Sequence, residues 1–440
     1  MRKITFLRSL LASHRLLIAA AIVLLGFSHP VFAQDADTEN TPSLPKDLQA
    51  GFSQYYDLVY QIRVVSPQAG SKSSIGSGFQ VSATGLLITN YHVVSEYVQS
   101  PETHEIKYRS HNGEIGQLDL LDFDVINDLA LLRLSKPEPR FFKFANQRMR
   151  KGETVYALGN PRDYGISLVP GPNNGMVEHS YNEQVLFSGS LNPGMSGGPA
   201  VNENGEVVGV NVATAGAALS FLVPASNAIN LVNAAREIDK DSYQNELANQ
   251  IKQWQRQRLQ NLIDLDWTPE NFSGENLFGE IRKDFQCWGG TNDSNKERFI
   301  ERASKNCRAG NSVYLSRNLN TGQFMFSFIK KRSLKLNALQ FSSTINSQLG
   351  ADNSANFQSA TNYQCHVDFL DADAQSTQND SYHRLTTCIR AYKKLPDLFD
   401  SLLYLERISN GEVFSTHLSI AGAERDQIQS LNRKFVERSL

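Results

Sequence analysis

A chain of 440 residues is longer than one core ordinarily closes, since domains settle at about 100 to 200 residues, so two domains are expected. With 40% hydrophobic and 20% charged residues and a formal net charge of −2, it is composed like a globular protein and lacks the basic run that a nucleic-acid partner would require. No repeat of solenoid period is visible.

The start carries Arg2, Lys3, Arg8 and Arg15 without an acid, then an apolar run from Leu16 to Phe27, then Val31-Phe32-Ala33. A membrane anchor needs roughly 20 apolar residues and this core offers about 12, so residues 1–33 read as a cleaved export signal. The mature chain then begins near Gln34, is mildly acidic, and is expected to have no stable membrane insertion. Residues 34–50 are polar with Pro42 and Pro45, a flexible lead-in. The four cysteines, Cys287, Cys307, Cys365 and Cys388, all lie in the C-terminal half, and export favours their oxidation. The N-terminal half must hold itself together by packing alone.

From residue 51 onward short β-prone runs alternate with turn residues. Strands are expected at Leu58 to Val65, Gly78 to Val81, Leu86 to Thr89, Glu114 to Leu121, Leu129 to Leu134, Thr154 to Leu158, Gln184 to Phe187, Glu206 to Val212 and Leu219 to Val223. Many short strands with marked turns, such as Ala83-Thr84-Gly85 and Glu203-Asn204-Gly205, point to a sandwich or barrel. Ser226 then reads as the N-cap of a helix carrying Ile229, Leu231, Val232 and Ile238. A second helix from Tyr243 to Leu262 has an apolar stripe at Leu247, Ile251 and Trp254, and is expected to connect two domains over 239–265.

Three segments carry chemistry. Gly85 to Val94 reads as a strand that ends on His92. Val125 to Leu134 places Asp128 at the mouth of an apolar strand. Asn192-Pro193-Gly194-Met195-Ser196-Gly197-Gly198-Pro199 is a glycine-flanked serine. A serine hydroxyl is a weak nucleophile until a base removes its proton; histidine does this near neutral pH, and a carboxylate fixes its tautomer. Glycines let backbone N–H groups face a developing oxyanion, and Gly194 and Ser196 are the expected donors. No cofactor and no metal are expected.

In these words the sequence resembles the trypsin-like peptidase superfamily, most closely its bacterial HtrA/Deg-like branch. Thr89-Asn90-Tyr91-His92-Val93-Val94, Asn127-Asp128-Leu129-Ala130-Leu131-Leu132 and Gly194-Met195-Ser196-Gly197-Gly198-Pro199 are similar to its histidine, aspartate and serine motifs. Ala157 to Pro161 and Gly205 to Asn211 support the match. The resemblance implies an all-β double barrel over 51–238, with His92 as general base, Asp128 as its orienter and Ser196 as nucleophile. It also implies a substrate-binding wall from Ser190, Leu191 and Asn192 and a substrate-pairing strand at Phe221, Leu222, Val223 and Pro224. Protein or peptide substrates, and a periplasmic or secreted location, follow as expectations. No segment resembles the PDZ domains that usually follow this unit. Met195 stands where that branch usually carries Asn, which leaves open whether the oxyanion loop is formed at rest. The rival expectation is a non-catalytic barrel that binds an envelope partner.

No family resemblance is recognised in residues 266–440, which are expected to form a smaller α+β disulfide-containing domain, either a diverged duplication or one irregular unit. The expected pairing is local, Cys287 with Cys307 and Cys365 with Cys388. Helical turns at Glu297 to Ala303 and Tyr382 to Thr387 are expected to return the chain within each loop. Hairpins are expected at Leu319 to Phe324 and Ile408 to Val413.

Overall fold

The computed structural model describes residues 55–216, 219–279, 281–310, 312–346, 358–370 and 381–440. The expected export signal (1–33) and lead-in (34–50) lie outside the described residues.

Six antiparallel strands close the first barrel: β1 (Val59–Ser66), β2 (Ser71–Gln80), β3 (Leu86–Thr89), β4 (Glu105–Arg109), β5 (Ile115–Asp124) and β6 (Leu129–Leu134), in the order β1-β2-β3-β6-β5-β4. Alternate residues turn inward, among them Ile62, Val64, Leu87, Ala130 and Leu132, all fully buried. Burying each larger aliphatic side chain contributes about 1.5–3 kcal/mol, and in this half of the chain no crosslink assists. The second barrel closes likewise from β7 (Thr154–Gly159), β8 (Ser167–Met176), β9 (Val185–Phe187), β10 (Pro199–Val201), β11 (Val207–Gly216) and β12 (Leu219–Pro224), in the order β10-β11-β12-β9-β8-β7.

Local sequence misleads at three places here. The strand expected at Leu86 to Thr89 forms, but His92, expected at its end, lies in the first turn of α1 (Tyr91–Gln99), whose Tyr91, Val94 and Val98 pack on the barrel core. β8 contains Pro170, Pro172 and two glycines and shows no alternation; six-residue pairing with β7 fixes it. The next helix, α2 (Ala225–Asn233), is capped by Pro224 rather than Ser226, and Ile238 lies beyond it, donating its amide to Leu121.

The long helix α3 (Tyr243–Asp264) buries Tyr243, Leu247, Ile251 and Trp254 in the first barrel's core, and Leu259 and Leu262 in the core of the region that follows. That region opens with a hairpin, β13 (Pro269–Phe272) and β14 (Glu275–Phe278). Its centre is a seven-stranded antiparallel sheet of β15 (Phe285–Thr291), β16 (Ile300–Ala309), β19 (Phe324–Ser333), β20 (Gln364–Leu370), β21 (Tyr382–Ala391), β22 (Phe399–Ser409) and β23 (Glu412–Ala423), in the order β15-β16-β19-β23-β22-β21-β20. A separate hairpin pairs β17 (Val313–Ser316) with β18 (Leu319–Thr321), and two helices, α4 (Ala338–Asn346) and α5 (Arg425–Ser439), complete the fold. Phe326, Phe328, Leu403 and Leu418 of the sheet meet Ile428, Leu431 and Phe435 of α5 in one core.

Disulfides join Cys287 to Cys307 and Cys365 to Cys388, each across directly opposed residues, so each ties an edge strand to its neighbour. The helical turns expected at Glu297 to Ala303 and Tyr382 to Thr387 are not formed. Most of the first segment and all of the second are strand, because β16 and β21 each pair on both sides, which local propensity does not foresee. The hairpin expected at Leu319 to Phe324 is also replaced: Gly322 (φ 74°) turns against the Trp254 ring and bonds to Ala421, so β18 pairs back with β17. The second expected hairpin forms at Asn410-Gly411 between β22 and β23.

Candidate active site

Where β5 gives way to β6, Asp124 builds the turn. Its carboxylate accepts the amides of Ile126 at 3.1 Å and Asn127 at 3.0 Å and the Asn127 side chain at 2.6 Å. Burial raises its pKa, and these hydrogen bonds oppose the rise. The turn ends on Asp128 in a left-handed conformation (φ 56°), which Asp tolerates better than branched residues do. Asn90 donates its side chain to the Asp128 carbonyl at 2.8 Å, fixing the turn against the start of α1.

The Asp128 carboxylate thereby meets His92 twice. Oδ1 accepts the His92 backbone amide at 2.8 Å, and Oδ2 faces ring Nδ1 at 2.7 Å. Burial works against the imidazolium, but the charge of Asp128 and its hydrogen bond outweigh it, and the His92 pKa is raised. With Nδ1 committed, Nε2 is the ring nitrogen left to accept a proton.

Ser196 comes from the second barrel, between β9 and β10. Its carbonyl accepts the Ser77 amide of β2 at 2.7 Å, and the Ser77 hydroxyl donates to the Gly194 carbonyl at 2.7 Å while accepting the Asn160 amide at 2.9 Å. The loop is thus pinned to the other barrel. A side chain at Gly194 (φ 99°) would strike the Asn160 carbonyl, so only glycine fits that turn. The amides of Met195, Gly197 and Gly198 are spent on Asn192, Asn211 and Met195 carbonyls. Those of Gly194 and Ser196 have no protein acceptor among the described residues, which leaves two neighbouring N–H groups for a ligand oxygen. The Ser196 hydroxyl itself donates to the Val212 carbonyl of β11 at 2.6 Å.

Met195 is fully buried with Val155, Ala157, Phe187 and Leu222, and Gly159 gives it room. Apolar packing therefore anchors the loop here. Of the expected wall, Ser190 and Asn192 are exposed, whereas Leu191 turns into the second core. The expectation that Phe221, Leu222 and Val223 offer an edge to a substrate is corrected for Phe221 and Leu222. β12 pairs with β11 on one side and β9 on the other, and Leu222 is core. The partly open edge belongs to β11, whose register with β10 stops at Val210 while that with β12 runs on to Gly216. The available signal was that β11 is the second strand after Ser196, following β10 and the Asn204-Gly205 turn. Tyr314 of β17 has no such signal, yet its ring stands at 80° to His92 with centroids 6.0 Å apart. Among the described residues no cluster of His, Cys, Asp or Glu is placed to hold a metal.

Residues 76–210 match the family model of the trypsin-like peptidase domain. The human serine protease HTRA3 is 29% identical over 42% of this chain and 40% of its own length. A probable periplasmic serine endoprotease, DegP-like, from Marinomonas is 29% identical over 40% of this chain and 38% of its own. The chain thus spans about two fifths of the length of these curated relatives. A protease from M. tuberculosis, solved in its active form, aligns at 21% identity with a TM-score of 0.39, covering 46% of this chain and 95% of the other. Over residues 76–210 the chain is thus similar to the trypsin-like peptidase domain, and the curated relatives it matches include HtrA-type and DegP-like serine proteases.

Proposed function

We propose that this chain is a periplasmic or secreted serine endopeptidase that hydrolyses peptide bonds of protein substrates without a cofactor. The observation that carries the reading is the two-point hold of Asp128 on His92, which leaves Nε2 as base. The Ser196 hydroxyl rotates from Val212 to that nitrogen, gives up its proton and attacks the scissile carbonyl carbon. The Gly194 and Ser196 amides receive the oxyanion, a contribution typically of about 2.7–4 kcal/mol per donor. Collapse expels the amine, which takes the proton from His92, and water then resolves the acyl-enzyme by the same route. Catalytic hydrogen bonds often tighten only when substrate binds, so the resting Ser196 to Val212 bond is compatible with this sequence.

The DegP-like relatives carry periplasmic in their names, and the basic-apolar start of the chain supports export. No helix among the described residues is long and apolar enough to cross a membrane. Ser196→Ala and His92→Ala are expected to lower hydrolysis of an unfolded protein by at least about 10³-fold with the fold retained, as judged by circular dichroism. Turnover above about a tenth of wild type in either variant contradicts the reading.

A further inference from the structure

The region after the barrels reaches the candidate base itself. β17 lies across α1: the buried Tyr91 donates its hydroxyl to the Leu315 carbonyl at 3.0 Å, and the Gln99 side chain reaches the same oxygen at 3.5 Å. Val313 and Leu315 are buried in the core shared with the first barrel. Between them Tyr314 is half-buried at the margin of the same core and meets the His92 ring. Ser95, one turn beyond His92, lies beside the Tyr314 hydroxyl and donates to the His92 carbonyl at 3.0 Å.

We propose that Tyr314 is a positioning residue for His92, and that through it the C-terminal region completes the hydrolytic site. The inference rests on His92 being the general base. An imidazole held at Nδ1 alone retains rotational freedom about that bond, and a ring packed across it removes that freedom. Displacements of about 1 Å at reacting groups can cost about a hundredfold in rate. The groups around the imidazole are Asp128 from the β5–β6 turn and Tyr314 from β17, with Glu96 of α1 and Arg317 of the β17–β18 turn beyond Tyr314. Burial is the influence that depresses the His92 pKa, so opening this wall raises it further.

The test compares the full chain with Tyr314→Phe, Tyr314→Leu, Tyr314→Ala and Ser196→Ala, following hydrolysis of an unfolded protein against pH. Tyr314→Phe is expected to stay within about twofold of wild type, whereas the Leu and Ala variants lose about ten- to a hundredfold in kcat with KM little changed. The acid limb of the Ala profile moves to higher pH; Leu, which keeps bulk without a ring, serves if Ala fails to fold. Wild-type kcat in the Leu or Ala variant, or a loss with an unmoved acid limb, overturns the inference. If hydrolysis survives Ser196→Ala, the functional reading itself has failed; if it needs Ser196 but not Tyr314, only this inference has.

Discussion

Asp163, on the turn after β7, accepts a hydrogen bond from Lys72 of β2 at 2.8 Å, so a single carboxylate ties the two barrels together. Gln61 donates to it at 2.7 Å and Arg63 at 3.1 Å. These partners, Lys72 first and Gln61 next, lower its pKa to about 2. Arg162 and Asp163 are both left-handed (φ 50° and 68°), which costs about 1–2 kcal/mol per residue, and the clamp offsets that strain. The Arg162 amide in turn bonds to the Pro193 carbonyl at 2.9 Å, next to Gly194.

Asp163→Ala is therefore expected to lower kcat about tenfold with KM little changed, by loosening the turn behind Gly194. A folded pKa below the ordinary carboxylate value means the clamp is complete above that value and is lost as pH falls towards about 2. The defect should be constant across neutral pH in steady-state assays. An unchanged kcat contradicts the role.

Met195→Ala should destabilise the protein by about 2–5 kcal/mol in urea denaturation, the range for emptying a filled core site. Met195→Asp should cost more, because its neighbours Val155, Ala157, Phe187 and Leu222 offer a carboxylate no cation. An Asp variant as stable as wild type would show that the loop is not anchored by apolar packing.

No carboxylate stands at Ser188-Gly189-Ser190-Leu191-Asn192, and a buried cation without a partner is costly. Cleavage sites mapped by mass spectrometry should carry small or medium aliphatic P1 residues. A profile dominated by Lys and Arg refutes this. Leu191→Ala, by contrast, should lower stability rather than redirect cleavage, since Leu191 belongs to the second core.

Replacing Cys365 and Cys388 together by Ser should lower the stability of the sheet by about 3 kcal/mol on the chain-entropy account. Hydrogen exchange should show the gain in mobility centred on β20 and β21. Equal exchange throughout the chain would mean that the bridge does not hold this edge in place.

The barrels were legible because most of their strands are short β-prone runs closed by glycine turns, and because Asp128 sits directly before β6. His92 reads as the end of a strand because the apolar run from Leu86 leads into it; packing of α1 on the barrel core decides otherwise. Phe221 and Leu222 read as a substrate edge because sequence cannot show that both sides of β12 are taken there. Tyr314 was invisible for a similar reason: its meaning lies in a partner 222 positions away.

In the proposed mechanism Ser196 is a nucleophile activated by His92 and oriented for acyl transfer. A fluorophosphonate probe applied to the intact chain, followed by peptide mapping, tests it most directly. One modified peptide is expected, labelled on Ser196, with labelling abolished by Ser196→Ala and strongly slowed by His92→Ala. Absence of labelling in the folded wild type, or undiminished labelling in Ser196→Ala, would contradict it.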